Sequence, residues 1–278
     1  MAVRLFDQLE LVREQLEQSD HILFALDFDG TLAAITNEPD DAALCPDLYA
    51  LLADFCCSDR LSIAVISGRA LPDLKRRIKL PITFVGNHGL ELEGSGVTFV
   101  HSKADSLRRI VDHACWDLEA ALHSVRGAVI ERKGLSAAVH YRQAPASICD
   151  WIEATVRMTV VPHAKDLEIR PAKKAWEIRP RVDWNKGDAI KLLLRNTSAD
   201  RPSVVCAGDD WTDEDMFGAA PDAISIRVGE DAQTSARYFI GSPGEVATFL
   251  RVVKSWEVAR GELTAVRKEP LVGRLTLP

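Results

Sequence analysis

Two acids spaced i, i+2 close an apolar run: Ile22, Leu23, Phe24, Ala25 and Leu26 lead into Asp27, Phe28, Asp29, Gly30 and Thr31. A run of this length and composition reads as a buried parallel strand. Residues i and i+2 of an extended chain project to the same side. Two carboxylates forced together repel, so a cation is expected between or beside them. Gly30 lets the chain turn away sharply. A turn with Asx-type hydrogen bonds would account for Asp29 and Gly30, but not for an acid at the end of a hydrophobic strand. A calcium loop is disfavoured, because Leu32, Ala33 and Ile35 stand where further oxygen ligands would be needed.

Two more apolar runs end in residues that can do chemistry. Ala64 to Ile66 leads into Ser67, Gly68 and Arg69, and Ser203 to Ala207 leads into Gly208, Asp209 and Asp210. The C-terminal ends of strands are where open α/β sheets hold their ligands. Asn185, Lys186, Gly187 and Asp188 open an amphipathic helix that continues through Ile190, Leu193 and Leu194. A lysine in a helix's first turn opposes the macrodipole. A nearby anion would explain Lys186, and so would a solvated place on the surface.

These residues need a scaffold, and the chain is long enough for one large core or two domains: 278 residues, 47% hydrophobic. The net charge is −7 and no long basic stretch occurs, which argues against nucleic acid as a partner. A phosphorylated ligand would have to be attracted locally, by a metal and by individual Lys and Arg residues. Cysteines 45, 56, 57, 115, 149 and 206 show no C-x-x-C pairing and no histidine at zinc spacing. They read as reduced thiols of a cytoplasmic protein. Val3 to Gln18 is charged and helical in period, unlike a signal peptide, and no run approaches membrane-span length. A monomer is expected.

Asp27 and Ser67 are close in sequence, as are Lys186 and Asp209, whereas Ser67 and Lys186 are far apart. An insertion explains the gap. The expected fold is α/β: a Rossmann-like parallel-sheet core, residues 1–97 and 181–255, with an inserted α+β unit over 98–180. Residues 256–278 are a tail without assignment. Within the insert, Ala104 to Val125 and Ile148 to Val160 have helical spacing, while 129–133, 137–142, 167–170 and 175–179 alternate as strands. The order is helix, strand, strand, twice over. It makes a small sheet covered on one face by two helices. Its polar set, with Glu131, Lys133, His140, Arg142, Glu177 and Arg179, faces away from those helices, toward the core or toward solvent.

Taken together, D-x-D-G-T, then Ser67, Lys186 and G-D-D-x-x-D resemble the haloacid dehalogenase-like phosphatases over roughly residues 20 to 250. Gly86 to Glu91, Glu131 to Gly134, His140 to Arg142, Glu177 to Pro180 and Gly208 to Phe217 narrow the resemblance to the trehalose-6-phosphate phosphatase family. The resemblance implies a magnesium-dependent hydrolysis of trehalose 6-phosphate, with the insert as a cap over the site. It implies Asp27 as nucleophile, Asp29 as acid and base, and Ser67 and Lys186 holding the phosphoryl group. Mg²⁺ would be held by Asp27, the main-chain carbonyl of Asp29 and Asp209, with Asp213 or Asp210 in support. Substrate would be bound by Gly68, Arg69, Asn87, His88, Glu91, Glu131, Lys133, His140, Arg142 and Glu177, with Glu131, Lys133 and Glu177 on adjacent cap strands. Thr212 with Asp215 reads as a capping pair, and Glu214 and Asp215 as helix-start acids. The partner implied is a sugar phosphate, with functional coupling to a trehalose-phosphate synthase. Other sugar-phosphate phosphatases, such as sucrose-phosphate ones, phosphomutases of the same superfamily and a non-catalytic sensor are the alternatives.

Overall fold

The computed structural model describes the backbone of residues 1–268 apart from 37, 38, 95 and 221, and the side chains up to 260 apart from those and 39. The chain runs β1 (Val3–Arg4), α1 (Leu9–Glu17), β2 (His21–Leu26), α2 (Pro46–Phe55), β3 (Leu61–Ile66), α3 (Leu71–Arg77), β4 (Thr83–Gly86), β5 (Glu91–Gly94) and β6 (Val97–Val100). It continues as α4 (Ser102–Ser106), α5 (Arg108–Leu122), β7 (Val129–Arg132), β8 (Ala137–His140), α6 (Ala146–Val160), β9 (Leu167–Ala172) and β10 (Ala175–Pro180). It ends with α7 (Lys186–Arg195), β11 (Pro202–Gly208), α8 (Glu214–Phe217), β12 (Ile224–Val228), β13 (Tyr238–Ile240) and α9 (Pro243–Lys268). Among the described residues, no helix is long and apolar enough to cross a membrane.

Among the described residues nine strands form one sheet in the order β1-β13-β12-β11-β2-β3-β4-β5-β6, and four form a second in the order β7-β8-β10-β9. The large sheet is parallel from β1 to β4, and β5 and β6 add antiparallel pairs. Strand β2 explains why its sequence is apolar throughout. Ile22, Phe24 and Leu26 pack into one hydrophobic layer with α2 and α9, while Leu23 and Ala25 pack into the opposite layer with α7. Both faces are covered, so neither can be polar. The chain leaves β2 for β3 on one side and meets β11 on the other. That reversal opens a crevice at the strands' C-terminal ends, where Asp27, Ser67 and Asp209 follow β2, β3 and β11.

The second sheet is antiparallel, and α5 and α6 cover one of its faces through Val111, Leu118, Ile152 and Val156 against Ala137, Val139, Leu167 and Ile178. The expected alternation is present. Register sets two cross-strand rows on the opposite face: Glu131, Ala138, Glu177 and Arg170, then Val129, His140, Ala175 and Ala172. One expectation fails here: Glu131 and Glu177 do not stand on adjacent strands, because β8 lies between β7 and β10 and brings Ala138 between the two acids.

Two boundaries also differ. The insert was expected from 98, yet β6 runs to Val100 and pairs with β5 in the large sheet; Phe99 in it stacks on Trp184 at 4.9 Å, which rewards continued pairing. The expected tail begins inside α9, which continues to Lys268. Residues 269–278 of that tail lie outside the described residues.

Candidate active site

Asp27 follows β2 with its N–H donating to the Ala207 carbonyl at 2.9 Å, which fixes the residue to the neighbouring strand. Lys186 is the first residue of α7. Asn185 caps that helix through a capping box, accepting from the Asp188 N–H at 3.1 Å and returning its own N–H to Asp188 Oδ2 at 3.2 Å. This lets a cation occupy a helix start. Lys186 Nζ donates to Asp27 Oδ1 at 2.7 Å and to Asp213 Oδ1 at 2.6 Å, all three side chains being buried. The solvated alternative for Lys186 is therefore excluded. Burial opposes its charge, but Asp213 and Asp27 outweigh burial and hold its pKa above the ordinary ammonium value.

Carboxylate oxygens of Asp27, Asp209 and Asp213 lie within 4.8 Å of one another. Two close approaches allow this. Gly30, at φ +88°, and Gly208 sit where a Cβ would strike the carboxylates of Asp209 and Asp213. Two buried acids and one partly buried acid share few cations. Burial, together with neighbouring acids, pushes the Asp27 and Asp209 carboxyls above the usual range. Closely spaced hard oxygens carrying excess negative charge fit Mg²⁺, so the donor set matches the implied metal. Asp213 also closes a capping box with Asp210, whose N–H donates to Asp213 Oδ2 at 2.9 Å and whose Oδ1 accepts from the Trp211 N–H at 2.6 Å. The expected Thr212–Asp215 capping pair is therefore replaced by Asp210 and Asp213. Glu214, expected as a helix-start acid, accepts from Thr234 Oγ1 at 2.7 Å and the Ser235 N–H at 2.8 Å, holding that loop.

Asp29 receives Arg69 Nε and Nη2 at 2.7 Å on its two carboxylate oxygens, and Arg69 Nη1 donates to Asp73 at 2.9 Å. Ser67 Oγ accepts the Arg69 N–H at 3.2 Å. Above these, a cavity of about 380 Å³ separates the strand ends from the cap's open face. Asp27, Asp29, Ser67, Gly68, Arg69, Lys186 and Asp209 line it from the core, and Glu131, Lys133, His140, Arg142 and Glu177 from the cap, with His88 at the junction.

The cap acids are held in ionised form. Glu177 lies 3.3 Å from Lys133 Nζ and 3.1 Å from His88 Nε2, and Arg179 Nε donates to it at 2.8 Å. Burial would raise its pKa; the charges of Lys133 and Arg179 and the hydrogen bond with His88 outweigh that and hold it well below the carboxylate range. Glu131 is lowered in the same way, burial being overcome by His140 at 2.8 Å and by Lys133. Burial brings His88 down to about 3, so the imidazole is neutral at pH 7. Arg142 bridges the two units, donating to the carbonyls of Thr36 and Lys173 at 3.3 Å.

Asn87 and Glu91 were expected to bind substrate, but neither lines the cavity. Asn87 is fully buried; its Nδ2 donates to Glu91 Oε1 at 2.6 Å and to the Lys133 carbonyl at 3.0 Å, and its Oδ1 accepts from Ser136. Glu91 Oε1 also accepts the Leu71 N–H at 2.8 Å. Both fasten the β7–β8 hairpin to the core. Conversely, Ile35, Thr36, Asp40, Val129, Ala138, Ala172, Lys173 and Ala175 line the cavity without having been singled out. Strand parity with His140 could have found Ala138; nothing in the sequence marks Ile35 or Thr36, which lie on a loop.

A parallel sheet with an acid-bearing switch point and an inserted α+β cap is the haloacid dehalogenase-like architecture. A haloacid dehalogenase-like hydrolase from Bacteroides thetaiotaomicron shares the fold at TM-score 0.60 and 13% identity, over 84% of this chain and 99% of that one. Residues 25–240 match the family model Trehalose-phosphatase, and the chain belongs to that family. The trehalose-phosphate phosphatase of Mycobacterium tuberculosis (strain H37Rv) is 36% identical over 233 residues, 80% of this chain and 59% of the relative. The chain thus spans under two thirds of the length of that relative. A solved trehalose-6-phosphate phosphatase related protein superposes at TM-score 0.76 with 25% identity, over 86% of this chain and 99% of that one.

Proposed function

We propose that this protein is a phosphoric monoester hydrolase that converts trehalose 6-phosphate to trehalose and phosphate through an aspartyl-phosphate on Asp27. The observation that carries this reading is the single cavity in which Asp27 and Lys186 face Glu131, Lys133 and Glu177. Phosphate chemistry lies on one wall and hydroxyl recognition on the other. A carboxylate of Asp27 attacks phosphorus and the bond from phosphorus to the sugar oxygen breaks, so one difficult displacement becomes two. Asp29 delivers a proton to the departing sugar oxygen. It then takes one from the water that attacks the aspartyl-phosphate, releasing phosphate and restoring Asp27. Both Asp29 oxygens are engaged by Arg69 in the present state, so this transfer requires one contact to open. Lys186 and Ser67 stabilise the charge on the phosphoryl oxygens. Asp27, the Asp29 carbonyl, Asp209 and Asp213 would hold Mg²⁺, which when bound would supply further positive charge beside the transferring group.

Glu131, Lys133, His140, Arg142 and Glu177 set the choice of sugar, because a site built to hydrogen-bond hydroxyls rejects ligands that leave it unpaired. Gly68 and His88 shape the passage between the two walls. The reading carries with it the proposal that the enzyme acts in the cytoplasm as a monomer, on the product of a trehalose-phosphate synthase; the free thiols of all six cysteines agree with that setting. The test is phosphate release across trehalose 6-phosphate, sucrose 6-phosphate and glucose 6-phosphate, with and without Mg²⁺. Trehalose 6-phosphate with Mg²⁺ is expected to lead by orders of magnitude. Equal rates on all three sugars would overturn the specificity, and full activity under chelation would overturn the metal.

A further inference from the structure

The hairpin joining β9 to β10 turns through Lys173 and Lys174, and Lys174 takes a left-handed backbone conformation at φ +60° that few non-glycine residues adopt. The turn is pinned by the two residues that follow β8: the Tyr141 N–H donates to the Lys174 carbonyl at 3.1 Å, and Arg142 Nη2 to the Lys173 carbonyl at 3.3 Å. Fixed in this way, the tip reaches across the cavity. Lys173 Nζ donates to Asp209 Oδ2 at 2.6 Å, a bond from cap to core at the carboxylate cluster. The lysine side chain is 49% exposed and that of Asp209 9%. Lys173 lines the same cavity as Asp27, Ser67 and Lys186.

An isolated surface pair of this type would mean little. Here the partner is one of three clustered acids, and its neighbours dictate what happens when the site fills. A divalent cation bound by Asp209 repels an ammonium on the same carboxylate. The substrate then brings a dianion into a space whose acids already outnumber Lys186. Lys173, already bonded to this cluster and half exposed, is a cation that can relieve this excess. Its stem needs only a rotamer change to move from Asp209 toward an adjacent phosphoryl oxygen.

We propose that Lys173 is a phosphate-contacting residue carried by the cap, paired with Asp209 in the empty site and transferred to a phosphoryl oxygen once Asp209 engages the cation. This rests on the phosphatase reading above and deepens it: a filled phosphate site would itself hold the cap tip down.

The probe is inorganic phosphate, titrated calorimetrically into the intact chain in the presence of Mg²⁺, with Mg²⁺ alone titrated in parallel. One charge-assisted hydrogen bond corresponds to an affinity change of about tenfold or more. Lys173→Ala should weaken phosphate binding by about that factor, while Lys173→Arg keeps most of it. Mg²⁺ alone should bind Lys173→Ala at least as tightly as wild type, because a competitor for Asp209 has gone. The position is a half-exposed hairpin tip, so an unchanged far-ultraviolet spectrum and melting temperature certify each variant. Unchanged phosphate affinity in Lys173→Ala would overturn the proposal, and so would a loss of Mg²⁺ binding equal to the loss of phosphate binding. Phosphate binding that depends on Lys173 in a protein inactive on trehalose 6-phosphate would sustain this assignment while removing the choice of sugar.

Discussion

Replacing Lys186 by methionine keeps the length of the side chain and removes the one charge between two buried carboxylates. At the observed 2.7 and 2.6 Å, each contact is worth about 6 kcal/mol at an effective dielectric of ~20, before desolvation is subtracted. Desolvation of three buried ions takes back most of this, and removing one partner of a buried pair costs about 3–5 kcal/mol net. The loss should depend on pH. Burial and the neighbouring acids already hold the Asp27 carboxyl above its usual range, and Lys186 is the largest influence pulling it down. Without Lys186 it rises further. A carboxyl whose folded pKa is raised favours the fold below its unfolded value, about 3.9, and that contribution is lost as pH climbs to the folded pKa. The variant should therefore be closest to wild type in acid and most destabilised near pH 8. Urea unfolding of both proteins at pH 5 and pH 8, without metal, measures the difference. Mg²⁺ at about 100 times its Kd should return about 2.7 kcal/mol to either protein if it binds only the folded state. An identical deficit at both pH values, or a deficit below ~1 kcal/mol at pH 8, would refute the view that Lys186 neutralises this cluster.

Asp27→Asn should fold and lose at least ~10³-fold in turnover, the scale for removing an essential group; substantial activity in a folded variant would take Asp27 out of the nucleophile's role. Glu131→Ala, Lys133→Ala and Glu177→Ala should cripple turnover of trehalose 6-phosphate while sparing much of any activity on a small aryl phosphate, and the measured quantity is the ratio of the two rates. Equal loss on both substrates would assign these residues to folding or closure. His88, held near 3 by burial, takes up a proton in the unfolded chain before it does in the fold, so it should lower stability as pH falls below about 6.5. Replacing His88 by Gln should flatten the stability curve between pH 6.5 and 4; an unaltered slope would mean the imidazole is already charged in the fold.

Asp27, Ser67 and Asp209 were readable because each follows a strand that is buried on both faces. Ile22 to Leu26 had no other place to go, and an acid at such an end has no structural excuse. The cap's open face was readable for a similar reason, since period-2 alternation sorts His140 from Val139 without knowledge of partners. Strand order was not readable. Nothing local says that β8 inserts between β7 and β10, and so the spacing of Glu131 from Glu177 was misjudged. Asn87 and Glu91 misled because polar residues at a strand's end are equally suited to a ligand and to fastening a hairpin, and only tertiary packing chose the second. The capping pair was misplaced by two residues because Asp210 and Asp213 both cap and reach the site, a double role that a one-dimensional pattern cannot separate. Lys173 shows the same limit: its partner, Asp209, lies in another unit of the fold.

Methyl groups stand among the polar side chains on the cap side of the cavity. Ala138 stands between Glu131 and Glu177 in one cross-strand row, and Ala175 and Ala172 follow His140 in the other, placed there by register alone. Capacity and chemistry are thereby written in different letters of the same strands. Enlarging one alanine to valine or leucine would shorten the chamber without touching an acid, a lysine or the nucleophile. On the function proposed above, a lineage could pass from disaccharide to monosaccharide substrates through a few such steps, each of them silent for the reaction on the opposite wall. On that reading the alanines are the positions where the size of an acceptable sugar is free to drift while the groups that act on its phosphate stay constant.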